Sequence, residues 1–112
     1  MEIRQINEDY SVTGQIGLDD VARIKAAGFR SVICNRPDGE QADQPAQDDV
    51  RVAVEAAGMT FRYIPVVSGQ ITADNVEDQA EALEELPAPV LAYCRSGGRC
   101  TNLFLAIQQS KG

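Results

Sequence analysis

The stretch Val90-Leu91-Ala92-Tyr93-Cys94-Arg95-Ser96-Gly97-Gly98-Arg99 constrains the fold of this chain more than any other. An apolar, strand-like run ends on a cysteine, a short glycine-containing turn follows, and an arginine leads into an apolar helical run from Cys100 to about Gln109. A strand delivered into a helix by so few residues brings the strand's carboxyl end against the helix's amino end. Backbone N–H groups of such a turn converge on one point, and the helix start adds positive potential there. The result is an anion cradle with a thiol at its floor. In that field Cys94 is expected to ionise below the ordinary thiol range. Arg99 offers a planar fork of donors suited to tetrahedral oxyanions. The alternative is a small buried cysteine beside a mere connecting turn.

The rest of the chain places this unit in a larger pattern. Ile3–Ile6 and Tyr10–Gly14 read as short strands. A helix opens at Gly17-Leu18-Asp19-Asp20, with apolar positions Leu18, Val21, Ile24 and Ala27, and stops at Gly28. Strands follow at Phe29–Cys34, Met59–Val66 and Val90–Tyr93. Helices are expected over Gln47–Ala57, from a Thr72 cap to about Leu86, and from Cys100. Alternation of this kind predicts an α/β fold of three layers, with a mostly parallel central sheet and helices on both faces. All of residues 1–112 read as one domain, since the chain is too short for two cores. Ligands of such sheets bind at the carboxyl ends of the strands. Cys94 and the segment Cys34-Asn35-Arg36 both lie at such ends and are expected to face one pocket.

Composition removes several functions. The net charge of −7 argues against nucleic acid, which needs a basic face. No apolar run is long enough to cross a bilayer. The chain contains no histidine, so Ser-His and Cys-His catalysis and His-ligated metals are excluded, and no Cys-x-x-Cys pair supports zinc. No cofactor is expected. Three cysteines without an apolar leader fit a reducing cytoplasm.

Around Cys94 and Arg99, the substrate-binding candidates are Arg95, Ser96, Gly97, Gly98, Arg36 and Ser68. Arg36 reads either as a second anion contact or as a loop brace paired with Asp38 or Glu40. Ser96 offers its hydroxyl to the thiolate or caps the loop. Cys34 and Cys100 are candidate redox residues: Cys34 resolves a persulfide if its thiol reaches Cys94, and is otherwise a buried strand-end cysteine. Cys100 opens the last helix, where the dipole favours a thiolate. The acidic run from Glu77 to Glu85 reads as a solvated helix face.

Four stretches carry a family resemblance: Ser11–Ile16, Ala27–Glu40, Tyr63–Val66 with Ser68-Gly69, and Leu91–Gly97 with Arg99. Together they resemble the bacterial phosphatase-like domain of beta-lactamase hydrolase-like proteins, also described as candidate sulfur transferases. The run Asn35-Arg36-Pro37-Asp38-Gly39-Glu40 is more diagnostic than the cysteine loop. The resemblance implies a fold like that of tyrosine and dual-specificity phosphatases. It also implies that such domains occur alone or fused to a metallo-beta-lactamase-like, persulfide-oxidising domain, which is the candidate partner. The chain departs from the family at Gly98, commonly a hydroxyl residue, and at Cys100, commonly serine. Family members usually continue past the last helix, where this chain stops at Gly112.

Two chemistries use a thiolate in such a cradle. Cysteine-dependent phosphatases place five residues between Cys and Arg, a His before the Cys, and a nearby acid. Rhodanese-like sulfur transferases place four residues there and hold sulfur as a persulfide. Here four residues separate Cys94 from Arg99, Tyr93 precedes the cysteine, and Val67-Ser68-Gly69-Gln70 lacks a carboxylate. The main expectation is therefore sulfur transfer from thiosulfate or a persulfide through Cys94. The alternative is phosphate-ester hydrolysis through phosphocysteine, and a second alternative is a non-catalytic anion-binding module. The substrate is in each case a small anion.

Overall fold

The computed structural model describes residues Met1–Lys111. Five strands form one sheet in the order β1-β2-β5-β3-β4. They are β1 (Arg4–Gln5), β2 (Tyr10–Thr13), β3 (Ser31–Cys34), β4 (Thr60–Tyr63) and β5 (Val90–Tyr93). Only β1 runs antiparallel, as an edge hairpin on β2. β5 is inserted between β2 and β3 and pairs parallel with both, so Leu91 lies between Ser11 and Val32. β5 is buried along its whole length, so both of its faces are covered, as parallel sheets require.

Alternation along the strands sorts the core into two layers. Val32, Cys34, Leu91 and Tyr93 face one side and pack with Val21 and Ile24 of α1 (Val21–Ala26) and Val50 and Val54 of α2 (Gln47–Ala56). Val12, Ile33, Ala92 and Cys94 face the other, where they meet Ala82 of α3 (Ala73–Glu85) and Cys100 of α4 (Gly98–Lys111). The three-layer α/β arrangement is thus as the alternation predicts.

Three boundaries differ from expectation. Leu18–Asp20 forms a short 3-10 turn before α1, and Leu18 and Ala27 are exposed rather than part of an apolar stripe. The Asp20 carboxylate accepts the Gly17 N–H at 2.8 Å, which tightens the turn and rotates Leu18 outward. The strands β3 and β4 are shorter than the apolar runs containing them, although Ile64 N–H still donates to the Cys34 carbonyl at 2.9 Å and Val66 N–H to the Asn35 carbonyl at 3.0 Å beyond their ends. Finally, α4 begins at Gly98, two residues before Cys100, so Gly98 and Arg99 belong to its first turn. Thr72 caps α3 as expected, accepting the Asn75 N–H at 3.1 Å while Asn75 returns a bond to Thr72 N–H.

Candidate active site

Cys94 is the first residue beyond β5, on the most constrained strand of the sheet. Its Sγ accepts the Gly97 N–H at 3.0 Å. Gly97 holds φ at +91°, and a Cβ there would lie 2.7 Å from Arg4 Nη2 and 3.4 Å from the Thr13 backbone. The Arg4 side-chain end can shift, so it is the left-handed φ that calls for glycine. The end of β2 clasps the turn from beside it: Gln15 N–H donates to the Arg95 carbonyl at 3.3 Å, and Cys94 N–H to the Thr13 carbonyl at 3.4 Å.

This cradle lowers the Cys94 thiol to about 5. The largest cause is the Cys100 thiol, which hydrogen-bonds to the Cys94 sulfur. Burial opposes the shift, and backbone N–H groups of Cys100, Ser96 and Arg99 add to it. At neutral pH Cys94 is therefore a thiolate. Cys100 is pushed the opposite way, first by burial and then by the neighbouring Cys94, so it stays protonated and donates. The Ser96 hydroxyl takes the capping arrangement: it accepts the Gly98 N–H at 3.3 Å, at the start of α4.

Arg99 is nearly buried and its guanidinium is paired with Glu40. Nη1 donates to Glu40 Oε2 at 2.7 Å and to the Val66 carbonyl at 2.9 Å, and Nη2 donates to Glu40 Oε1 at 2.9 Å. A guanidinium carries five N–H donors. These bonds leave the Nε–H and the second Nη2–H, which share one edge of the plane and form a fork for an oxyanion. Glu40 thus sets the orientation of Arg99. It also accepts Arg36 Nε at 2.9 Å, and the two arginines, Arg99 foremost, hold its carboxyl down at about 2.

Arg36 occupies the bracing position. It is fully buried, and its remaining nitrogens bond Gln15 Oε1 at 3.0 Å and Gln41 Oε1 at 3.1 Å. It does not line the open cleft over the turn, which is bounded by Ser68, Gly69, Ile71, Arg95, Ser96, Gly98, Arg99 and Asn102. Arg95 and Ser68 are exposed at the rim. Among the described residues no carboxylate lines this cleft, and Asp74 sits in the first turn of α3. A second hollow, between β2, α3 and α4, holds Tyr10, Leu83 and Phe104 and contains no cysteine or arginine.

β3 and β5 are neighbours, yet Cys34 lies in register with Tyr93 and shares its face of the sheet, opposite to Cys94. The Cys34 thiol donates to the Arg36 carbonyl at 3.3 Å, and burial raises it to about 11. Cys100, by contrast, lies in the same layer as Cys94.

A buried polar chain supports the turn from below. Asn35 Nδ2 donates to Gln79 Oε1 at 2.9 Å, Gln79 Nε2 donates to the Tyr10 hydroxyl at 3.3 Å, and Tyr10 donates to the Cys100 carbonyl at 2.9 Å. It links β3, α3 and β2 to the base of α4. Sequence reading missed Glu40 as the holder of Arg99 and missed Gln79 altogether. The signal for Glu40 was its place in the Asn35–Glu40 run. For Gln79 it was a lone neutral polar residue amid acidic neighbours.

The family model described as "Beta-lactamase hydrolase-like protein, phosphatase-like domain" matches residues 2–111. The chain belongs to this family. A beta-lactamase hydrolase-like protein of Agrobacterium fabrum is 35% identical over 105 residues, covering 94% of this chain and 24% of the relative. The chain therefore spans about a quarter of the length of the curated relatives it matches. Among solved structures, a candidate phosphatase of Neisseria meningitidis superposes with a TM-score of 0.89 at 32% identity, covering 96% of this chain and 77% of that one. The core catalytic domain of a yeast PP-IP phosphatase, crystallised with citrate, gives a TM-score of 0.65 at 10% identity over 85% of this chain and 56% of its own. The fold is that of the tyrosine and dual-specificity phosphatases, and the chain is a phosphatase-like protein with a cysteine at the centre of its cradle.

Proposed function

We propose that this phosphatase-like domain transfers sulfur, with Cys94 as the carrier. The observation behind this reading is a nucleophile without an acid. Cys94 is ionised, while among the described residues no carboxyl lines the cleft and Glu40 is fixed in its charged form. Hydrolysis of an alkyl phosphate needs a proton for the departing oxygen, and a general acid contributes ~10²–10⁴ in rate. Displacement of sulfite from thiosulfate needs none. The Cys94 thiolate attacks the outer sulfur, the S–S bond breaks, and sulfite departs with the electron pair, leaving a Cys94 persulfide anion. The free edge of Arg99 and the turn's N–H groups balance the oxyanion, with Arg95 and Ser68 at the rim. The persulfide then passes its sulfur to cyanide or a thiol. A persulfide-oxidising metallo-beta-lactamase-like domain fits as partner, and free thiols at Cys34, Cys94 and Cys100 fit a reducing cytoplasm.

A second reading, cysteine-dependent phosphate hydrolysis, is favoured by the family and its solved relatives. With no acid at the cleft it is limited to leaving groups that depart unprotonated, such as aryl oxides. Incubation of the reduced protein with thiosulfate, followed by intact mass, separates the two. Sulfite release with Cys94-dependent sulfur uptake is the expected result. Release of nitrophenol from an aryl phosphate without sulfur uptake would establish the phosphatase instead. Binding of sulfate or phosphate with neither reaction would leave an anion-binding module.

A further inference from the structure

We infer that Cys100 discharges the Cys94 persulfide as free sulfide and closes a Cys94–Cys100 disulfide, giving the domain a dithiol activity beyond sulfur carriage. This rests on the sulfur-transfer reading above.

The argument begins with position. Cys94 and Cys100 belong to one buried side-chain cluster, and the Cys100 thiol is the neighbour that most favours the ionised form of Cys94. The two residues share one core layer and are 0% and 1% exposed, so the thiol that meets a sulfur on Cys94 from within the protein is that of Cys100. Cys100 is also held in place. Its carbonyl accepts the Tyr10 hydroxyl at 2.9 Å, and Tyr10 in turn accepts Gln79. Cys34 cannot serve, because its side chain packs on the opposite face of the sheet.

The chemistry follows from charge. While Cys94 is a thiolate, its charge and the low-dielectric surroundings keep Cys100 protonated and unreactive. Sulfur uptake moves the negative charge to the outer sulfur. The Cys100 proton then passes to that outer sulfur, and the Cys100 sulfur attacks Cys94 Sγ. The bond between Cys94 Sγ and the outer sulfur breaks, and hydrosulfide leaves with the electron pair. The sulfane sulfur is reduced to sulfide, and the two cysteine sulfurs are oxidised to the disulfide, with one proton and two electrons accounted for. A bonded pair sits at ~2.05 Å. The sulfurs close within the core layer that both residues share. An external dithiol restores the reduced pair by thiol–disulfide exchange.

The test uses the reduced protein, freed of reductant and treated with thiosulfate or glutathione persulfide, beside Cys100→Ser, Cys100→Ala and Cys94→Ser. Wild type is expected to release one equivalent of sulfide and to lose two hydrogens, with peptide mapping placing the disulfide at Cys94 and Cys100. Cys100→Ser keeps a hydrogen-bond donor but has no redox chemistry, so it should retain one added sulfur on Cys94 and lose sulfide release. If the serine variant fails to fold, Cys100→Ala gives the same readout at a pH above its raised Cys94 midpoint. A wild type that holds a stable added sulfur without releasing sulfide overturns the inference and leaves sulfur transfer standing. So does a disulfide mapped to Cys34. No sulfur uptake from either donor, by wild type or by the Cys100 variants, overturns sulfur transfer and this inference with it. One equivalent of hydrogen peroxide provides an independent check of the geometry: failure to form the Cys94–Cys100 disulfide under it also counts against the inference.

Discussion

A thiol held at about 5 by its neighbours should reveal itself in reactivity. The alkylation rate of Cys94 with iodoacetamide should rise with pH through a midpoint near 5 and then level off. Because the Cys100 thiol is the largest cause of that shift, Cys100→Ala should move the midpoint upward, toward the ordinary thiol range. An unchanged midpoint would place the cause in the backbone N–H groups alone. Arg99 makes a different prediction. Its Nη1 and Nη2 are spent on Glu40 and Val66, and only its outer edge is left for substrate. Lysine cannot satisfy both duties, so Arg99→Lys should cost on the order of 10²–10³ in turnover, the usual loss for an oxyanion donor. Iodoacetamide alkylation, which needs no oxyanion contact, should persist and so separates catalysis from folding.

Between elements, the site depends on how the end of β5 is clasped. Gly97→Ala places a Cβ against Arg4 and the Thr13 backbone at a φ that side chains avoid. A loss of about 1–3 kcal/mol in urea unfolding is expected from such strain. Much of this arrangement was legible beforehand. Short apolar runs bounded by turn residues located all five strands, and the strand–turn–helix unit located the cradle. The errors have specific physical origins. Leu18 and Ala27 have helical spacing, but the Asp20–Gly17 bond tightens Leu18–Asp20 into a 3-10 turn that turns Leu18 outward, and Ala27 stands past the last turn of α1 as its cap. Cys34 stands at a neighbouring strand end, but parallel register makes it the partner of Tyr93 and sends its thiol to the far face. Sequence proximity to a strand end identifies the edge of the sheet, whereas register decides the face. Gln79 was hidden because an acidic helix advertises only its wet side.

On the scale of the whole molecule, Glu40 joins parts that are distant along the chain. It links Arg36, just past β3, to Arg99 on α4, and through Arg99 it reaches the Val66 carbonyl beyond β4. The site and the stability of the molecule thus share one carboxylate. Its folded value of about 2 lies below the ordinary 4.5, so its stabilising contribution is complete above 4.5 and disappears as pH falls through 2. Glu40→Gln keeps the shape and one acceptor but leaves two nearly buried guanidinium groups without their counter-charge. At neutral pH it should lower stability by about 1–3 kcal/mol, the range for a lost charged hydrogen bond. Urea unfolding of both proteins between neutral pH and pH 2.5 checks this. The gap should be constant above 4.5 and narrow below it, because the wild type is then losing what the variant never had. A gap that does not change with pH would mean that Glu40 acts through packing, and the charge link between β3 and α4 would fall with it.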